Sequence, residues 1–167
     1  MKKFELTTNT KMHLGKKLFQ IKALISFGNV EAGELGGYIE KEENLDQSGD
    51  AWVYGDARVS GDAWVSDNAR VYGDARVYGD AWVSGDARVS DNASYTTVKG
   101  FGREYRATTF FRCEDGKVRV RCGCFYGDLE KFRAIVKETH GESKKAKEYL
   151  MIADLMELHF EENENDK

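Results

Sequence analysis

Between residues 50 and 94 the chain holds all three of its tryptophans, Trp52, Trp64 and Trp82. Beside them stand three tyrosines, Tyr54, Tyr72 and Tyr78, and four arginines, Arg58, Arg70, Arg76 and Arg88. An aromatic face that stacks on a base, next to a guanidinium that holds a phosphate, is the ordinary chemistry of nucleotide binding. The same stretch contains no histidine, since His13, His140 and His159 all lie outside it. It therefore offers no imidazole general base for acyl transfer and no trio of imidazoles for a catalytic zinc. His140 precedes a helix-ending glycine and His159 falls near the end of a second expected helix, where a cationic imidazole is favourable without any catalytic role. Phosphate-loop, zinc-protease and nucleophile-elbow motifs do not occur. The inventory points to binding rather than catalysis, with no cofactor and no metal.

Charge and cysteine usage narrow the setting. The formal net charge is −4 over 167 residues. Residues 50 to 94 account for all of it, with eight Asp against four Arg and neither Glu nor Lys. The flanks are balanced, so a broad basic footprint is absent and direct DNA binding is not expected. The start "MKKFELTTNTKM" lacks the apolar core of a signal peptide, and no apolar run approaches the length of a membrane span. The expectation is a soluble, cytoplasmic protein without a membrane partner. Cys113, Cys122 and Cys124 then read as reduced thiols buried in a strand region, not as zinc ligands.

The elements that must position these residues are announced by a short period. Val recurs at 53, 59, 65, 71, 77, 83 and 89, and Ala two residues before each, and again at 93. Six residues advance a helix by about 600°, which would scatter the valines around the cylinder. Short strands separated by turns keep them on one side, with Val inward, Ala in crowded corners, and Gly-Asp or Asp-Asn bending the chain. Read as Val-x-Gly-Asp-Ala-x, the stretch resembles the hexapeptide repeat of left-handed parallel β-helix proteins. The resemblance implies three hexads per triangular coil and roughly two and a half coils, too short to stand without caps. It also implies a homotrimer about an axis parallel to the coil.

On such a coil, residues eighteen apart stack about 4.8 Å from each other. Trp64 then lies on Trp82, Arg58 on Arg76, Trp52 over Arg70 and Arg88, and Tyr54 over Tyr72. Asp62 lies on Asp80 and Asp56 on Asp74, ladders of like charge that nearby Arg is expected to compensate. The candidate ligand-binding residues are the Trp, Tyr and Arg columns together with Tyr78, in a groove between subunits. Arg119 and Arg121 supply a second basic strip.

The flanks carry a further resemblance. "SFGNVEAGELGGYIEKEENLDQSGDAWV", with Gly33, Gly36 and Gly37 and the triplet Glu43-Asn44-Leu45, resembles the entry into the repeats of a family of phage, prophage and bacterial hexapeptide-repeat proteins. This segment should cap the first coil, whose open edge would otherwise expose unpaired strand groups. After residue 94, "EYRATTFFRCEDGKVRVRCGCF" reads as a hairpin around Asp115-Gly116, with Val118, Val120, Cys122 and Cys124 on one face. "GDLEKFRAIVKETHG" and "SKKAKEYLMIADLMELHF" read as two helices, the second with a wide apolar face. The portion from "RCGCFYGDLEKF" to "KEYLMIADL" resembles a small C-terminal domain that follows repeats in other phage proteins.

The expected architecture is mainly β: a cap over 1–44, a short left-handed parallel β-helix over 45–94, an α+β domain over 95–160 and a disordered acidic tail over 161–167. The expected function is a non-catalytic phage-type protein that sequesters a nucleotide-like ligand or a host defence protein, in the host cytoplasm, against bacterial immunity. One alternative is an inhibitor whose acidic ladder imitates a nucleic-acid backbone. The other is an acetyltransferase-like enzyme, a label some relatives carry on the strength of the repeat alone.

Overall fold

The computed structural model describes residues 1–161. The tail expected over 161–167 therefore lies, apart from Glu161, outside the described residues.

After three strands of the cap, seven two-residue strands follow the valines: β4 (Trp52–Val53), β5 (Arg58–Val59), β6 (Trp64–Val65), β7 (Arg70–Val71), β8 (Arg76–Val77), β9 (Trp82–Val83) and β10 (Arg88–Val89). They form three parallel ladders: β5 with β8, β6 with β9, and β4 with β7 and β10. Each rung pairs residues eighteen apart, as Arg58 with Arg76 and Val59 with Val77. Rungs are joined by backbone bonds of one sense, for example Trp52 N–H to the Ala69 carbonyl at 3.1 Å and Tyr72 N–H to the Val89 carbonyl at 2.9 Å. All seven valines are fully buried, and so are the alanines at 51, 57, 63, 69, 75, 81 and 87. Ala93 is exposed instead, because the chain has left the solenoid before reaching it. At the corners, glycines such as Gly61 take positive φ, and where the sequence reads Ser-Asp-Asn, Asp67 adopts the same left-handed conformation at φ 59°.

The cap contributes part of the solenoid itself. β1 (Phe4–His13) and β2 (Lys16–Ala23) make an antiparallel hairpin, and β2 pairs with β3 (Leu35–Ile39). β3 then pairs in parallel with β5, Tyr38 on Arg58 and Ile39 on Val59, while Leu45 bridges in parallel to Val65. Each ladder thus has three rungs, and the first coil begins inside the segment read from sequence as cap.

On one side of that coil β2 continues the sheet beyond β3, and on the other two sides side chains satisfy the backbone edge. Buried Asn44 donates from Nδ2 to the Gly61 and Ala63 carbonyls at 3.1 and 2.8 Å, and its Oδ1 accepts from Lys41 N–H. Lys3, 1 % exposed, donates from Nζ to the carbonyls of Ser48, Gly49 and Ala51. Removal from water pulls its pKa down from 10.5 to about 8.

The far end is closed by the C-terminal unit. Its sheet is a four-stranded antiparallel meander of β11 (Tyr95–Val98), β12 (Thr108–Arg112), β13 (Val118–Cys122) and β14 (Phe125–Asp128). The expected hairpin is its middle pair; β11 and β14 were not anticipated. Val120 and Phe110 face the helices α1 (Leu129–His140) and α2 (Lys144–His159), whose Phe132, Val136, Tyr149, Ala153 and Met156 complete a second core. Asp128 and Ser143 cap the helices at their N-termini, each accepting a backbone N–H three residues on. α2 buries only one side of its wide apolar face, leaving Met151, Leu155 and Leu158 exposed. Cys124 is also exposed, because it falls in the turn after β13 and not on the strand.

Candidate functional site

Each ladder presents a different outer column. On the β5–β8 face, Arg58 and Arg76 stand one rung apart, about 4.8 Å. The tip of the β1–β2 hairpin, where Leu14 and Gly15 both take positive φ, folds down beside them. There Arg58 Nη1 donates to His13 Nδ1 at 2.8 Å, which fixes that nitrogen as the acceptor. Partial loss of water, then the charges of Arg58 and Arg76, lower the His13 pKa from its ordinary value. Together with Lys16 and Tyr78 these groups line a cavity of about 490 Å³. Arg58 Nε is buried with no partner among the described residues. Arg119 Nη1 and Arg121 Nε are in the same condition, so this feature is not confined to the cavity.

Asp62 and Asp80 also line this cavity, and they and the neighbouring acidic groups are largely neutralised. Lys41 pairs with Asp62 at 2.9 Å, and Lys99 with Asp80. Glu40 accepts from Gly61 N–H at 2.5 Å and from Lys16 at 3.1 Å, which hold its carboxyl below the usual range. Lys11 reaches Asp56 at 3.1 Å. These Asp residues, expected to be balanced by neighbouring Arg, are met by lysines from the flanks. Arg occupies strands whereas Asp occupies corners, and the carboxylates of Asp56, Asp62 and Asp80 are reached by long side chains from the caps.

On the β6–β9 face, Trp64 and Trp82 stack with centroids 4.7 Å apart and planes at 19°. The stack continues into the C-terminal unit, with the Arg121 guanidinium 3.7 Å from the Trp82 ring. Trp82 is fixed further, its indole N–H donating to Ser66 Oγ and its backbone N–H to Thr109 Oγ1. Sandwiched between Trp64 and Arg121, Trp82 has no face to offer a ligand; Trp64 itself is 37 % exposed. Arg119 binds Asp115 at 2.7 Å, so the expected second basic strip serves packing.

On the β4–β7–β10 face the register places Trp52 on Arg70 and Arg70 on Arg88, as expected. Trp52, however, is fully buried and cannot bind ligand. Phe4 and Phe27 meet its ring edge-on at centroid distances of 6.2 and 5.3 Å. The cap covers this rung of the column, which the repeat itself does not reveal. Arg88 is held by Glu114 and by backbone carbonyls, Tyr54 is packed against the core, and Tyr72 is partly exposed.

Of the twelve expected residues, the structure gathers Arg58, Arg76 and Tyr78 around one cavity and adds His13 and Lys16, which sequence reasoning missed. The signal for those two was Leu14-Gly15, a turn inside the alternating run "TKMHLGKKLF". Among the described residues no group of three or more His, Cys, Asp or Glu is arranged to hold a metal ion. None of their helices is long and apolar enough to cross a membrane.

Comparison with known proteins supports the solenoid. Residues 51–67 and 69–85 match the family model of the YdcK beta solenoid repeat, two adjacent repeats whose starts lie one coil apart. A search of curated proteins found no match.

Proposed function

We propose that the protein is a non-catalytic binding protein whose hairpin–solenoid cavity takes a small phosphorylated, nucleotide-like molecule. The observation that carries this reading is the placement of Arg58 and Arg76 on adjacent rungs of one cavity wall, with Arg58 bonded to His13. Tyr78, exposed on the same cavity, is placed to pack against the ligand's ring. Asp62 and Asp80, held by Lys41 and Lys99, lie where hydroxyl or amino groups of the ligand would donate. The reading extends to a left-handed coil of hexapeptide sides, association as a homotrimer, and sequestration of a host signal by a phage or prophage protein. The acidic-ladder alternative is weaker, because Asp56, Asp62 and Asp80 are each paired with a lysine.

Isothermal titration calorimetry against cyclic and linear nucleotides tests it. Wild type is expected to bind at micromolar concentrations, and Arg58→Ala or Arg76→Ala to weaken binding by about tenfold or more, as loss of a charge-assisted hydrogen bond does. No heat from wild type at high micromolar concentrations overturns the reading.

A further inference from the structure

A second cavity, of about 380 Å³, opens in the C-terminal unit, far in sequence from the first. Its walls come from α1, from Phe125 of β14 and from the 102–106 loop, and Phe125, Phe132, Ile135 and Val136 make them apolar. Tyr149 of α2 closes one side, backed by His140, whose ring stacks on it at 5.8 Å. Cavities of this size and lining, with a few converging polar groups, are the usual form of small-ligand sites.

The polar groups converge at the mouth. Arg106 lies across Gly123, where a Cβ would stand 2.4 Å from its Nη1. The Tyr149 hydroxyl, already bonded to the Cys122 thiol, lies against Gly102, where a Cβ would stand 2.3 Å away. Both glycines have positive φ, +58° and +77°, so the backbone there is shaped to let these two side chains approach. Arg106 has no ion pair among the described residues. A guanidinium at the edge of an apolar cavity matches a carboxylate carried on a hydrocarbon chain. Glu104 shares the rim with Arg103 and Arg106, leaving one net positive charge. That balance suits a monoanionic carboxylate better than a phosphate.

We infer that this cavity binds a medium-chain carboxylate, its head on Arg106 and its chain among Phe125, Phe132 and Ile135. The site is separate from the Arg58–Arg76 cavity and does not depend on what that cavity binds.

Calorimetry of the full chain with octanoate, decanoate and dodecanoate, below their micellar concentrations, tests the inference, with 1-decanol as the uncharged probe. Affinity is expected to rise about threefold or more per added methylene until the cavity is full. Arg106→Leu should weaken decanoate by about tenfold or more and leave decanol within about twofold. Ile135→Trp, which fills the cavity from a half-open position, should weaken both probes without lowering the melting temperature. No binding at millimolar concentration, affinity independent of chain length, or unchanged decanoate binding by Arg106→Leu would each overturn it.

Discussion

Lys3 holds an ammonium on three backbone carbonyls at the base of the solenoid, and burial brings its pKa to about 8. The unfolded chain keeps this proton up to the ordinary 10.5, whereas the folded chain releases it from about 8. Between those values the unfolded state binds more protons, so this residue's contribution to stability rises with pH across the window. Urea denaturation at pH 8 and pH 10 should show wild type gaining stability relative to Lys3→Met; equal changes in both proteins would refute this. Trp52 makes a related point about reading single residues. Its position before a valine matches that of Trp64 and Trp82, yet it is buried against Phe4 and Phe27 while Trp64 remains partly open. A repeat defines which residues share a column but carries no information about what later covers that column.

At the scale of elements, the three ladders were legible because Val and Ala recur at a fixed interval, and a fixed interval leaves one way to bury them all. The Arg58–Arg76 and Trp64–Trp82 columns followed from that register. The hairpin tip that brings His13 to Arg58 was not legible, since the approach spans 45 residues of sequence and no periodicity links them. β11 and β14 escaped for another reason: they are only four residues long and carry mixed polar and apolar side chains. The caps belong to this scale as well. Asn44→Ala would leave the Gly61 and Ala63 carbonyls buried without donors and should cost about 2–3 kcal/mol by urea denaturation. Asn68→Ala, which removes one exposed bond to Asp86, should change stability by less than about 0.5 kcal/mol.

Over the whole molecule, the Trp64–Trp82–Arg121 stack joins the solenoid to the C-terminal unit. A double-mutant cycle with Trp82→Ala and Arg121→Ala should return a coupling of about 0.5–2 kcal/mol by thermal or urea unfolding. Additive losses would show that the stack forms no energetic link. The end closures also have a consequence for length. Asn44 and Lys3 at one end, and Thr109 at the other, bond to backbone amides and carbonyls, beside the side-chain contacts that Trp52, Trp82 and Arg88 make with the two caps. Nothing in either closure counts rungs. Duplication or deletion of one eighteen-residue turn would leave both ends as they are and shift the C-terminal unit by about 4.8 Å along the axis. Rod length is thus the dimension along which this architecture changes most cheaply, with ligand reach altered in fixed increments while both ends keep their chemistry.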